Sequence, residues 1–428
     1  MFTRRILSGA SRRVSRCYHP LRYSPERFAS SFLNQKTPSL GPAYVQSIPS
    51  ADDEIIVAMS SGVDSSVCAA LFASEYKNVR GIYMANWSQT KECVERDWKD
   101  VKSVCKKIGI PCERVNFEKE YWIDVFEPMI NQYRRGLTPN PDVSCNRYIK
   151  FGSMIEHLAK RFGSTSRPWW LVTGHYARIM RHEPTGKHHL LRGSYDPKDQ
   201  SYYLSTVSAP VLERVLLPLG HMTKPEVRRL AKEVYDLPTS EKPDSQGLCF
   251  VSQKGSFRDF LGQYIEPNPG NVITQDGRVS GKHEGLWHAT IGQRAGVEMP
   301  QGDEKYKGVW FVSEKRIDTN ELVIVKGSTN EELYTDTMSV EDWYWLDPSI
   351  DCDNIFKTHE KITAQHRSLQ DEVEVSEVLK TNKGIKVKFK TKSRAIAPGQ
   401  SLVLYGDHNR LLGSGIIMKS WRDEGLEK

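Results

Sequence analysis

The sequence predicts an α/β protein in three parts: a doubly wound parallel-sheet domain, a small central domain and a C-terminal antiparallel β-barrel. Three observations carry this reading. Apolar runs of strand length alternate with helical stretches from residue 54 to about 174, as in a parallel sheet covered on both faces. A loop-rich, glycine-bearing stretch occupies 238–300. From about 305 the chain breaks into short strands at close spacing, the habit of a small barrel. The 428 residues exceed what one core usually serves. The boundaries read as a basic segment at 1–31, a linker at 32–53, the parallel-sheet domain at 54–218, the central domain at 219–300 and the barrel at 301–428.

Glu54-Ile-Ile-Val-Ala-Met59 reads as a buried parallel strand. A Ser/Gly turn leads into a helix with Val67, Ala70 and Leu71 on one face. A strand at 79–84, a helix around 95–108, a strand at 113–117 and a helix over 121–135 follow. The loop Thr138-Pro-Asn-Pro-Asp142 precedes a helix over 146–162, and a strand at 169–174 completes the series. Thr223-Lys-Pro-Glu226 is a capping box opening a helix through Val227, Leu230 and Ala231. Barrel strands are expected at 308–313, 322–326, 362–366, 372–378, 385–389, 401–405 and 412–417.

With 38% hydrophobic and 26% charged residues the chain reads as globular rather than disordered, and no run of 18 apolar residues marks a membrane span. The net charge of +7 is unevenly placed. Residues 1–31 hold seven Arg and one acid, Glu26, and so account for +6; the remainder is close to neutral. An RNA site must then be a local basic face rather than a global field. The Arg- and Ser-rich N-terminus lacks a long apolar stretch and fits a mitochondrial transit peptide; a basic arm that binds RNA directly is the alternative. The eight Cys include no C-x-x-C pair, which argues against a zinc ribbon, and in a reducing matrix they are expected as thiols.

The strongest motif is Met59-Ser60-Ser61-Gly62-Val63-Asp64-Ser65-Ser66, set between strand and helix. Small residues let backbone N–H groups approach a phosphate, and the helix N-terminus adds its positive end. A Walker A loop is absent. The bland alternative is an ordinary tight turn. In Thr138-Pro-Asn-Pro-Asp142-Val-Ser-Cys145-Asn146 two prolines stiffen a loop, and Cys145 is expected at or just before a helix start, where the dipole favours thiolate. Asp142 would raise that thiol pKa, or serve as an acid/base if protonated. Cys249, in Lys242-Pro-Asp-Ser-Gln-Gly-Leu-Cys249-Phe, reads either as an exposed thiol suited to carrying sulfur or as a half-buried Cys beside Phe250.

The loop at 59–66 resembles that of the PP-loop ATP pyrophosphatases, with Ser61 where that family usually has Gly. The ordered set of Gly81–Trp87, Thr138–Asn146 with Ile149-Lys-Phe151, Thr173–Arg178, Lys198–Tyr203, Leu217–Gly220, Asp244–Phe250, Gly281–Gly285, Ile291–Arg294 and Ala397–Gln400 is similar to the tRNA 2-thiouridylases, the tRNA-uridine 2-sulfurtransferases, over about 54–418. With the Arg-rich N-terminus the chain resembles the mitochondrial branch.

That resemblance implies a PP-loop ATPase fold for the first domain, and 2-thiolation of the wobble uridine (U34) of mitochondrial tRNAs for Lys, Glu and Gln in the matrix. ATP, with Mg²⁺, would adenylate C2; a cysteine persulfide, loaded by a donor protein of a cysteine desulfurase relay, would supply sulfur. Neither a membrane nor DNA is an implied partner. Carried over residue by residue, Ala58, Met59, Ser60, Ser61, Gly62, Val63, Asp64 and Ser65 would hold ATP phosphates, with Met84 and Gly174 near the nucleotide. Cys145 would be the nucleophile, Cys249 the persulfide carrier and Asp142 the acid/base. Asn140, Pro141, Asp142, His175, Lys198, Asp199, Gln200, Arg367, Ser368 and Gln400 would contact tRNA; Ser368 stands where the family has Tyr, which removes a stacking ring. Two rivals are an amide-forming PP-loop synthetase, which would need no sulfur-bearing Cys pair, and a non-catalytic RNA-binding relative, which would need neither Asp64 nor the two Cys.

Overall fold

The computed structural model describes residues 43–86, 91–164, 167–244, 257–300 and 302–423. Tyr44–Val45 (β1) leads into the first domain. Its strands are Glu54–Met59 (β2), Val79–Ala85 (β3), Cys112–Asn116 (β4), Trp169–Val172 (β5), a hairpin of Ala177–His182 (β6) and His188–Arg192 (β7), and Val215–Leu216 (β8). Among the described residues β4-β3-β2-β5-β8 form one sheet with every pairing parallel, as the alternating pattern predicts. Along β2, Ile55, Val57 and Met59 enter one core cluster while Ile56 enters another, so both faces are covered and the strand is apolar throughout.

Val63–Ala73 (α1) follows β2, and its small residues let it lie almost wholly buried. Lys91–Ile108 (α2) comes next. A third helix (α3) is continuous through Glu118–Tyr121, Trp122–Phe126 and Glu127–Arg134, with a wide middle turn. The fourth (α4) runs through Pro141–Ser144, Cys145–Ser153 and Met154–Phe162. It therefore starts at 141 rather than 146, because Asn140 caps it and Pro141 is preorganised for its first turn. Lys224–Arg229 (α5) opens on the expected capping box, with Thr223 and Glu226 exchanging hydrogen bonds. Leu219, Met222, Val227, Leu230, Ala231 and Leu237 pack into the same core as β2 and α1, so this stretch is built into the parallel-sheet domain.

The central domain contains Phe257–Leu261 (α6) and a sheet of Gly270–Thr274 (β9), Val279–His283 (β10), Trp310–Arg316 (β11) and Glu321–Lys326 (β12), ordered β10-β9-β12-β11. Here the structure corrects the sequence reading. β11 and β12 do not join the barrel; β12 pairs with β9, inside a stretch read as loop. Alternation reveals which face of a strand is buried, but it does not name the neighbouring strand.

The barrel is built from Tyr334–Trp345 (β13), Thr363–Gln365 (β14), Val373–Lys380 (β15), Gly384–Arg394 (β16), Ser401–Gly406 (β17) and Arg410–Trp421 (β18). The order β18-β13-β16-β15-β14-β17 is closed by pairing of β17 with β18. β18 also meets β7, and β6 meets β1, so the hairpin of the first domain extends the barrel sheet. Val403, Tyr405 and Leu411 of the barrel share a core with Ile149 and Phe151 of α4 and with Phe260 and Trp287 of the central domain. Polar contacts cross the same seam: the Tyr202 hydroxyl donates to the Ser401 carbonyl (2.9 Å), and the Ser201 and Tyr405 hydroxyls lie 3.0 Å apart.

Candidate active site

β2 ends at Met59 and the chain turns sharply into α1. The Ser60 N–H donates to Ser65 Oγ (3.1 Å), closing the loop on itself. Ser61 sits at φ +59, the left-handed region that favours glycine, and its hydroxyl donates to Asp97 Oδ1 (2.9 Å) while accepting from Lys242 Nζ (2.9 Å). Gly62 caps α1 without a side-chain hydrogen bond, which leaves the first-turn N–H groups available to an anion. Gly174 lies against this turn so closely that a Cβ there would fall 3.0 Å from both Asp64 Cβ and Ser65 N. Met59 and Val63 are buried in the core, so what they offer the loop is backbone. Ala58 and Met84, on adjacent strands β2 and β3, are partly buried against the first core cluster.

A partly buried charge network gathers around Asp64 in the first turn of α1. Lys224 Nζ lies 2.7 and 2.8 Å from the two oxygens of Asp64 and 3.0 Å from Asp244. Tyr176 donates its hydroxyl to Asp64 (2.9 Å); burial and then the Asp64 charge push that phenol far up, so it remains a donor. Lys198 and Arg228 each lie 2.5 Å from Asp244. Burial acts to raise the Asp244 carboxyl, but hydrogen bonds from Lys198 and Lys224 outweigh it and hold the group well below the usual carboxylate range. The sequence reading missed Lys224, Arg228, Tyr176 and Lys242 as members of this site. One signal was present: Lys224 is a cation in the first turn of a helix, where the dipole disfavours it unless acids stand nearby.

On the far side of β5 stands the Cys145 helix. Asn140 Oδ1 accepts the Asp142 N–H (3.2 Å), so Asn140 is the cap of α4. Cys145 is buried in the second turn, among Val143, Ile149 and Phe151. It is therefore not at the helix start as expected; the dipole effect fades beyond the first turn, where Asp142 sits instead. Burial raises the Asp142 carboxyl, with Lys150 acting in the opposite direction. Burial, and then the Lys150 charge, hold His175 well below its ordinary value, so its ring is neutral; Nδ1 meets Thr173 Oγ1 at 2.7 Å and the ring lies 5.7 Å from that of Phe151. Lys150 thus acts on Asp142 and His175 together. Adjacent residues 174 and 175 face the two halves of the site, Gly174 the α1 turn and His175 the α4 helix.

Several residues expected to meet RNA are held by internal partners. Asp199 is buried, pairs with Arg192 (3.2 Å) and accepts from the Gly193 and Ser201 N–H groups. Gln200 Oε1 accepts the Tyr176 N–H (2.9 Å), and Lys198 pairs with Asp244. Gln400 Nε2 donates to the Thr138 carbonyl (2.8 Å), while the Thr138 N–H donates to the Pro398 carbonyl (2.9 Å). Gly399 between them has φ +95, and a Cβ there would fall 2.5 Å from Thr138 N. Arg367 is exposed on the barrel and Ser368 partly buried. Cys249 and the basic segment 1–31 lie outside the described residues. Among the described residues no cluster of three or more His, Cys, Asp or Glu could hold a metal ion, and no helix is long and apolar enough to cross a membrane.

Residues 53–253 match the family model described as a tRNA methyl transferase HUP domain, 258–326 a tRNA methyl transferase PRC-barrel domain and 335–417 an aminomethyltransferase beta-barrel domain. The mitochondrial tRNA-specific 2-thiouridylase 1 of Saccharomyces cerevisiae is 51% identical over 401 residues, covering 89% of this chain and 95% of that protein. The protein of the same name from Schizosaccharomyces pombe is 38% identical, covering 86% and 91%. A tRNA-specific 2-thiouridylase of Limosilactobacillus reuteri is 42% identical, covering 86% and 96%.

Proposed function

The chain belongs to the tRNA-specific 2-thiouridylases, sulfurtransferases that act on tRNA, and from that premise we propose that it makes 2-thiouridine at U34 of mitochondrial tRNAs for Lys, Glu and Gln, in the matrix. The observation that carries the reading is the back-to-back placement of the α1 turn on Gly174 and of the Asp142 helix beside His175. A phosphate-binding turn and a thiol-bearing helix then serve one base flipped out of its stack.

In this reading the α1 N–H groups, with Ser60, Ser61 and Ser65, hold the ATP phosphates, and Mg²⁺ arrives with the nucleotide rather than in a protein cage. The C2 oxygen of uridine attacks the α-phosphorus and pyrophosphate leaves. The terminal sulfur of a Cys249 persulfide attacks C2, and AMP departs with the C–O electron pair. Cys145 thiolate then attacks Cys249 Sγ. This leaves sulfur on C2 and a Cys145–Cys249 disulfide, which an external dithiol reduces. Asp142, held toward its protonated form by burial, is the acid/base beside Cys145. A donor protein of a cysteine desulfurase relay loads Cys249. Asn140 and Pro141 frame the base, and Lys198, His175, Arg367 and Ser368 face the RNA. Asp199, Gln200 and Gln400 act through the elements they tie down.

Mass spectrometry of mitochondrial tRNA nucleosides from cells with and without the protein tests this. Loss of 2-thiouridine at U34 is expected, and an unchanged level overturns the reading. Cys249→Ser should lose protein-bound persulfide while tRNA adenylation persists; Cys145→Ser should keep the persulfide and fail at turnover.

A further inference from the structure

Lys315, near the end of β11, is a half-buried lysine with no carboxylate partner among the described residues. Its Nζ donates to the Gly136 carbonyl (2.9 Å) and to Thr138 Oγ1 (3.2 Å). Burial alone pushes its ammonium down to about 7. Such a group is costly to bury, and a methionine would fill similar space without that cost. What lysine adds is direction, since two of its N–H bonds converge on one loop.

That loop is the one that turns into the Asp142 helix, and each polar group of Thr138 is engaged from another domain. Its N–H goes to Pro398 and its carbonyl receives Gln400, both from the barrel; its hydroxyl receives Lys315 from the central domain. Gly136, at φ +77, packs against Leu286 of the central domain, where a Cβ would fall 3.3 Å from Leu286 Cδ1. Two residues after Thr138, Asn140 caps the helix that carries Asp142 and Cys145.

We propose that Lys315 is a positioning residue for the thiolation reaction: it fixes Gly136 and Thr138, and through them the Asn140 cap and the placement of Asp142 and Cys145. The inference rests on the proposed function only for its consequence in catalysis. In the full-length protein, Lys315→Met should leave the melting temperature equal or higher. Amide hydrogen exchange across 136–145 should accelerate about tenfold or more, the scale of losing two hydrogen bonds. kcat for tRNA thiolation should fall by a similar factor with KM for ATP unchanged. Thr138→Val added to Lys315→Met should cost little more, because the two share one contact. Unchanged exchange across 136–145, or a melting loss large enough to explain the lost activity, overturns the proposal. If the wild-type protein thiolates no tRNA, the functional reading fails, and the exchange comparison still decides the role of Lys315.

Discussion

Lys224 grips both carboxylate oxygens of Asp64, at 2.7 and 2.8 Å, and so holds a positive charge at the open end of α1. A nucleotide's phosphates entering there would compete with Asp64 for that ammonium. Lys224→Met should therefore raise KM for ATP about tenfold or more while tRNA affinity stays within about twofold. It should also destabilise the fold, because Asp64 and Asp244 would lose their shared cation. ATP titration and thermal melting check the two effects separately, and an unchanged ATP KM counts against Lys224 as a phosphate ligand.

Ser61 sets two effects against each other. A non-glycine residue at φ +59 costs on the order of 1–2 kcal/mol, and its hydroxyl contacts with Asp97 and Lys242 return about as much. Ser61→Gly should then change stability by less than about 1 kcal/mol, because strain and hydrogen bonds leave together. Ser61→Ala keeps the strain and loses the bonds, so it should cost about 1–2 kcal/mol. Denaturant unfolding should rank the wild type and Gly variant together, above Ala.

Gly174→Ala places a methyl group 3.0 Å from Ser65 N. The turn must then shift by a few tenths of an ångström. ATP–pyrophosphate exchange should fall at least about tenfold with little change in melting temperature, since positional errors at a site cost rate more than stability. Unimpaired exchange would show that the turn tolerates the displacement.

Asp142 makes a prediction in pH. Its folded pKa lies above the ordinary 3.8. A carboxyl raised in this way contributes stability that is fully present below 3.8 and lost as pH rises through its folded value. At pH 7 the native state thus carries the cost of partly burying this carboxyl. Asp142→Asn removes that cost, so its melting temperature at pH 7 should equal or exceed the wild type's, while thiolation is lost. Near pH 3 the stability advantage should vanish.

The β2–turn–α1 unit was legible because its signals are local: an apolar run, small residues and a first-turn acid. The α4 start was misplaced because Pro141 reads as a loop residue until Asn140 is recognised as a cap. The β6–β7 hairpin was missed for a different reason. Ala177, Arg178, Ile179 and Met180 are all buried, so no alternation marks the strand. In β9 and β10, Gly270 and Gly281 made strand residues read as loop. The pairing of β12 with β9, and the convergence of Lys224, Lys198 and Arg228 on Asp244, depend on contacts between distant parts of the chain that no local pattern encodes.

The sheet that runs from β1 through the hairpin to β18 joins early and late parts of the chain. During synthesis β7 is made long before Arg410, the residue in β18 that pairs with Leu191. Until β18 arrives, that edge and the apolar faces of Leu190 and Leu191 are open to wrong partners, the situation in which nascent chains depend on chaperones. A chain interrupted before β18 would leave the nucleotide-binding half unfinished as well as the barrel. Premature stop codons ahead of Arg410 should therefore behave as loss of the whole enzyme rather than of one module.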